Sequence, residues 1–489
     1  MTKSSAAALG AHSKGSVTLL RTYGMLSMNM KKKVLTLRKD GNKMAYSVGL
    51  ISLGCPKNQI DAEHMLAALD EAGFRIVDYV DADYDDKCDA VIINTCGFID
   101  DAKKEAIENI LDVAELKKQG LVGSIIVTGC LAQRYQDEIL KEIPEVDTIV
   151  GIGANGDIVK IVRETIEGNN ISSFPDVCNL PMDSQRILTT PSYWAYLKIA
   201  EGCSNCCTYC KIPSIRGAMR SRKIESVIEE AKQLAELGVK ELVVIAQDTT
   251  AYGIDLYGEY KLPELLNELC LIDGIEWIRL LYCYPDKITD ELIETMAKQE
   301  KIVNYIDLPL QHCNDSILSA MHRKGTKAEI TDVIERLRAA MPDIAIRTTF
   351  ITGFPGEGDE EFEELNVFVN EMEFDRMGCF EFSPQEGTPA AEMENQVDDD
   401  VKTRRGEILM EDQYLIMQEK NNSRIGKEYK VLVEGYDAYT DSYSGRTYMD
   451  APEIDGVVYF ASDKEYDEGD FALVEILGVN EYDLVGRAI

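Results

Sequence analysis

Glu201-Gly202-Cys203-Ser204-Asn205-Cys206-Cys207-Thr208-Tyr209-Cys210 follows directly on the apolar run 193–200. The reading is a buried strand that ends in a short polar loop. Cys203, Cys207 and Cys210 form a Cys-x3-Cys-x2-Cys set on that loop. Three thiolates this close can ligate three irons of a 4Fe-4S cluster and leave the fourth iron open, and soft thiolate sets select such clusters or zinc. Cys206 extends the run to Cys-x2-Cys-Cys-x2-Cys, so a four-thiolate zinc site stays conceivable, although no second zinc-like pair lies nearby.

Downstream of the loop, strand patterns at 241–246, 276–282, 305–310, 345–352 and 377–382 alternate with helical patterns at 224–237, 262–270, 289–299, 328–340 and 359–372. With 193–200 this makes six β/α repeats, which fit a partial barrel. Chemistry in such barrels collects in the loops after the strands. Those loops hold the cysteine set, Gln247-Asp248-Thr249, Tyr284-Pro285, Gln311-His312, Gly353-Phe354-Pro355-Gly356-Glu357 and Ser383-Pro384-Gln385-Glu386-Gly387. His312 is a candidate base or a structural histidine. Gly353 and Gly356 would let backbone approach a cofactor, or simply close a tight turn.

Upstream, a strand at 48–55 ends in Cys55, a second at 89–96 ends in Cys96, and a third at 124–130 ends in Cys130. Helical patterns at 59–72, 100–119 and 131–141 separate and follow them. Alternation of this kind predicts a parallel sheet, whose ligands bind beyond the carboxyl ends of the strands. Right-handed crossovers put Cys55, Cys96 and Cys130 on one edge, where they can converge as a second three-thiolate site. Three buried core cysteines are the competing reading. Cys88, Cys178, Cys270, Cys283, Cys313 and Cys379 lack this placement and are assigned to packing.

With 489 residues the chain divides into several domains. The expected boundaries are an α/β domain at 45–165, a linker at 166–188, the partial (β/α)6 barrel at 189–421 and a small β-barrel at 424–489. Residues 1–44 carry nine basic residues and one acid, and read as a disordered tail or an over-extended start. The chain as a whole has a net charge of −35. That sign repels phosphate backbones and attracts basic partners. The last domain holds six basic and 15 acidic residues, the wrong sign for gripping RNA and the right one for a basic protein. Thirteen cysteines fit no secreted disulfide framework and no long apolar run is present, so a reducing cytoplasm and no membrane span are expected.

The Cys-x3-Cys-x2-Cys set with Tyr209 before its last cysteine resembles the radical S-adenosylmethionine (SAM) signature. Ser52-Leu53-Gly54-Cys55-Pro56-Lys57-Asn58, with Cys96 and Cys130, is similar to the methylthiotransferase N-terminal domain. Gly445-Arg446-Thr447-Tyr448-Met449-Asp450-Ala451-Pro452-Glu453-Ile454-Asp455-Gly456 and Glu481-Tyr482-Asp483-Leu484 resemble the RimO type within that family, and the last domain resembles a TRAM domain. The resemblance implies two 4Fe-4S clusters, one on Cys203, Cys207 and Cys210 and one on Cys55, Cys96 and Cys130. It implies SAM at the first, with Tyr209, Gly353 and Gly356 as cofactor-binding residues, and a reduced flavodoxin or ferredoxin as electron donor. The implied reaction adds a methylthio group to the β-carbon of an aspartate in small-subunit ribosomal protein S twelve. The alternatives are a tRNA methylthiotransferase acting on a modified adenosine, and a non-catalytic iron–sulfur or zinc protein that docks on ribosomes.

Overall fold

The computed structural model describes residues 46–77 and 87–489, so the expectation for 1–44 lies outside the described residues. The first sheet is all-parallel, in the order β2-β1-β3-β4-β5-β6. Its strands are β1 (Ser47–Ser52), β2 (Arg75–Val77), β3 (Cys88–Thr95), β4 (Val122–Gly129), β5 (Thr148–Val150) and β6 (Ser172–Ser173). β3 and β4 are buried along almost their whole length, as expected of a sheet covered on both faces. Helices Pro56–Glu71 and Asp100–Lys118 follow β1 and β3. The helix expected at 131–141 is instead two short helices, Cys130–Tyr135 and Asp137–Glu142. Gln136 breaks them apart with φ of +47°, a left-handed conformation that ends helical hydrogen bonding.

The second sheet runs β7 (Trp194–Lys198), β10 (Glu241–Ile245), β11 (Trp277–Leu280), β12 (Ile302–Asp307), β13 (Ala345–Thr352) and β14 (Arg376–Glu381), each parallel to the next. Consecutive β/α units in one sweep, unclosed between β14 and β7, make a partial barrel. A separate two-stranded ribbon, β8 (Ala200–Glu201) with β9 (Arg220–Ser221), flanks the cysteine loop. The strand expected at 305–310 is set three residues earlier. Pro309 has no amide to donate, and beyond Asp307 the chain keeps only single contacts such as Leu308 N to Arg347 O and the bridge of Gln311 with Phe350.

Helix Asp399–Asn422 packs on β13 and β14 and covers the barrel's edge strand. Its buried stripe is Lys402, Arg405, Leu409, Gln413, Met417 and Asn421, helical in spacing but mostly polar. The last five strands, β15 (Glu428–Asp437), β16 (Ser442–Arg446), β17 (Val458–Ala461), β18 (Phe471–Asn480) and β19 (Asp483–Ala488), close into a barrel in the order β15-β16-β17-β19-β18.

The segment between the first two sheets is packed rather than loose. It supplies β6, and Thr189 and Arg186 both engage Glu63 of the first helix while Arg186 also pairs with Glu230 of the barrel. Cys178 sits here in a 3-10 turn capped by Asp176 and is exposed, contrary to its assignment to packing.

The floor of the partial barrel is sealed by the stretch between β16 and β17. Arg279 donates to Glu241 at 2.7 Å and to the Tyr448 carbonyl at 2.6 Å. Arg446 of the small barrel donates to Glu241 at 2.7 Å and to Glu434 at 2.7 Å. Asp455 accepts from Tyr305 at 2.7 Å and pairs with Arg347. Burial alone would raise the Glu241 carboxyl, but Arg446 and Arg279 hold it below the usual carboxylate range. A depressed carboxyl stabilises the fold above its unfolded pKa, and that contribution is lost as the pH falls through the folded one. Glu241→Leu strands two buried guanidiniums and lowers stability at neutral pH by about 3–5 kcal/mol. Denaturation followed between pH 5 and pH 3 checks this: the gap to the parent protein narrows once the pH falls below the ordinary carboxylate value.

Candidate active site

The first cysteine set lies at three strand ends of the first sheet. Cys55 is the N-cap of Pro56–Glu71, Cys96 follows β3 directly, and Cys130 opens the helix after β4. Glycines permit the convergence. Gly54 has φ of +90°, and a Cβ there would meet the Cys96 Sγ at 2.7 Å. Asn58 staples the loop, donating to the carbonyls of Leu53 at 2.7 Å and Asn94 at 3.1 Å, while Asn94 donates back to the Asn58 carbonyl. All three are free thiols. Burial first, then the neighbouring Cys55 and Cys130 sulfurs, push the Cys96 thiol up to about 12. Burial raises Cys130 to about 11 against the pull of the nearby Arg216 charge.

The second set is wired as densely. Cys203 N donates to the Gly217 carbonyl at 3.1 Å, and Ile212 N donates to the Cys210 sulfur at 3.4 Å. Asn205 bridges the Cys203 sulfur and Asp248, and Lys287 closes that bridge at 2.9 Å to both Asn205 and Asp248. The Tyr284 hydroxyl lies 3.6 Å from the Cys207 sulfur. Cys206 takes φ of +53° and is exposed, whereas Cys203 and Cys207 are buried. Burial, and then the neighbouring sulfurs Cys207 and Cys203, lift Cys210 to about 12.

Tyr209 meets Phe354 edge-on at 6.4 Å, and Arg323 lies over the Tyr284 ring at 4.3 Å. Gly353 N donates to Glu357, Gly356 N donates to the Asn395 carbonyl, and the side Gly353 leaves open is filled by Lys402. His312 is fully buried. It accepts from Asn314 N through Nδ1 and directs Nε2 at Glu357 3.3 Å away, which marks it as a structural histidine bracing the Gly353–Glu357 turn.

Sequence reasoning missed the charges between the two sets. Arg216 donates to Asp61 at 2.9 Å, to Glu201 at 3.0 Å and to Asn58 at 3.2 Å. Lys198 donates to Asp61 at 2.6 Å and Glu201 at 2.9 Å. All four charged side chains are buried. Lys57 is also buried, its ammonium 2.9 Å above the centre of the Tyr282 ring. Burial pulls its pKa down to about 7. A lysine inside the apolar run of β7 was the available signal for Lys198; nothing in the sequence marked Arg216.

Among the described residues, no group of three or more His, Cys, Asp or Glu side chains is gathered as a single-ion site. Two sets of three free, mutually interacting thiols have the donor chemistry of two three-cysteine clusters.

Known proteins place the chain. The radical SAM superfamily matches residues 197–369, the uncharacterized protein family UPF0004 matches 47–151, and the TRAM domain matches 425–489. The ribosomal protein uS12 methylthiotransferase RimO of Thermoanaerobacter sp. (strain X514) is 51% identical over 443 residues, covering 90% of this chain and 99% of that one. Its counterpart in Clostridioides difficile (strain 630) is 50% identical, over 90% and 98%. The chain belongs to the RimO methylthiotransferase family. It is a radical SAM enzyme. Its fold also resembles the radical SAM methyltransferase TsrM from Kitasatospora setae, at a TM-score of 0.54 and 14% identity over 71% of this chain and 77% of that one.

In such a member, Arg216 joins the domain of one cysteine set to that of the other. Arg216→Met leaves Asp61 and Glu201 facing Lys198 alone, and lowers the thermal midpoint in line with a loss of about 3–5 kcal/mol. Arg216→Lys does not restore it, because an ammonium cannot reproduce the fork. Calorimetry on the three proteins checks both.

Proposed function

We propose that this chain adds a methylthio group to the β-carbon of an aspartate in ribosomal protein uS12. In this reading Cys203, Cys207 and Cys210 hold the SAM-binding cluster, and Cys55, Cys96 and Cys130 hold the second one. The carrying observation is that both sets end on one interface, with Arg216 bound to Asp61 and Asn58 beside Cys55 and the turn 282–284 touching both sides. When bound, the clusters and SAM supply the reactivity that breaks an unactivated C–H bond, along with sulfur and a methyl group.

The chain's own residues position these groups and keep water out. Buried thiols with raised pKa values are protonated before loading, so cluster binding releases protons and becomes tighter as the pH rises. Asn205, Tyr284 and the Ile212 amide all direct polar hydrogens at sulfurs of the SAM-side set, which orients them and tempers their charge. Tyr209 fixes the loop by packing edge-on against Phe354, and Gly353 and Gly356 shape the turn that faces the cofactor.

Asp463, Glu465, Asp467, Glu468 and Asp470 are exposed on the small barrel and suit a basic ribosomal protein. That surface and the uS12-directed relatives count against the tRNA alternative. A reduced flavodoxin or ferredoxin completes the reading as electron donor, and the cytoplasm as its compartment; no helix among the described residues is long and apolar enough to cross a membrane.

Mass spectrometry of uS12 and of digested tRNA, from cells with and without this chain, tests the proposal. The gain of one methylthio group on a uS12 aspartate, present only with the chain, is expected. An unchanged uS12 together with a methylthio-adenosine that depends on the chain would overturn it.

A further inference from the structure

A cavity of about 90 Å³ lies between the helix Pro56–Glu71, the turn Ile152–Asp157 after β5 and the segment that joins the first two sheets. It belongs to neither cysteine set. Its wall is mostly apolar, built from Met65, Ala68, Leu180 and Pro181. Two polar side chains converge on it. Asn155 is 5% exposed; its Oδ1 accepts from Thr128 at 2.8 Å, and its Nδ2 is buried with no hydrogen-bond partner among the described residues. His64 meets the Ser184 hydroxyl at 2.8 Å and the Gln185 carbonyl at 3.1 Å through Nδ1. A carbonyl only accepts, so Nδ1 carries the proton and Nε2 is the acceptor. Burial first, then Lys198, pull His64 down to about 4, which keeps it neutral. Asp61 also lines the cavity, but its two oxygens are already held by Lys198 and Arg216.

One end of this cavity backs onto the Cys55, Cys96 and Cys130 set. Thr128, which holds Asn155, lies two residues before Cys130, and its carbonyl accepts from Thr95, the neighbour of Cys96. The Asp61 charge acts on the Cys130 thiol. The other end meets solvent. Exposed Gly156 lines both this cavity and an outer groove of about 420 Å³. A Cβ on Gly156 would stand 3.2 Å from Pro181 Cγ, so the missing side chain keeps the mouth clear.

What fits there is small, neutral and weakly polar. A cavity of ~150 Å³ admits benzene, so this smaller one excludes cysteine or glutathione. No cation lines it to hold an anion. Buried water makes about three hydrogen bonds, more than one donor and one neutral acceptor offer. Hydrogen sulfide matches, with weak S–H donors and a soft, poorly hydrated sulfur. The uS12 reading, on which this inference rests, also requires an outside source of sulfur. Each methylthio group carries one sulfur atom away while the cysteines stay on the chain. We propose that this cavity binds hydrogen sulfide and admits it to the Cys55, Cys96 and Cys130 set, with Asn155 donating to the sulfur and His64 accepting from S–H.

The test uses the full-length protein with both clusters loaded, and sodium sulfide as the probe. Electron paramagnetic resonance of the reduced protein follows the response to sulfide, with and without saturating SAM and uS12 peptide at the barrel mouth. The Cys203→Ala/Cys207→Ala/Cys210→Ala protein assigns the responding signal to the other cluster. In the parent, sulfide is expected to change that signal at a rate the peptide leaves unaltered, because entry is from behind. Gly156→Val is expected to slow the response by roughly tenfold or more. Asn155→Leu is expected to raise the half-saturating sulfide concentration by about fivefold, the worth of one hydrogen bond. Iron content and thermal midpoint are measured on each protein, and the peptide comparison in the parent decides the matter if a variant does not load. A parent that ignores sulfide, or whose response the peptide blocks, would overturn the assignment, as would a loaded Gly156→Val protein that responds as fast as the parent. A parent that responds by this route yet leaves uS12 unmodified would instead overturn the functional reading.

Discussion

Four buried charges set the geometry of this molecule. Asp61 comes from the first domain, and Lys198, Glu201 and Arg216 from the barrel around the cysteine loop. Each carboxylate accepts from both cations, and Arg216 adds Asn58, whose amide pins the loop before Cys55. Buried ion networks of this kind recover little net stability, because desolvation offsets most of the attraction. What they impose is register, since a small slip leaves a charge unpaired. The network stands between the cysteine sets, so it fixes the relative position of the two domains where the chemistry requires it.

A second column of charge runs up through the barrel. Asp455, from the stretch that seals the floor, pairs with Arg347; Arg347 pairs with Asp307; and Asp307 holds the Tyr282 amide beneath Lys57. The small C-terminal barrel is therefore joined to the reacting face as well as appended to the chain. Its acidic outer surface and its buried Arg446, Asp450 and Asp455 perform separate tasks, one toward the partner and one toward the barrel.

Much of this was legible in the sequence because the elements obey simple periodicities. Helices Leu262–Cys270 and Asp359–Met372 and strand Ala345–Thr352 fall where the pattern places them. Cys55, Cys96 and Cys130 fall at strand ends, as alternating strands and helices require, and Cys203, Cys207 and Cys210 on the loop that follows the first barrel strand. The strands Thr148–Val150 and Ser172–Ser173 are too short to show a period, and helix Asp399–Asn422 buries polar side chains that no hydrophobic pattern reveals. The charges that join the domains were illegible for a related reason. Asp61 and Arg216 are 155 residues apart, and nothing local distinguishes a buried charge from a solvated one.

That the two cysteine sets serve one chamber is the claim on which the rest depends. Electron paramagnetic resonance of the reduced protein with both clusters loaded tests it most directly. The spectrum is compared with the sum of spectra from a Cys55→Ala/Cys96→Ala/Cys130→Ala protein and a Cys203→Ala/Cys207→Ala/Cys210→Ala protein. A shared chamber predicts magnetic coupling, visible as features and faster relaxation that the sum lacks. A spectrum equal to that sum, from protein with full iron and sulfide, would contradict it.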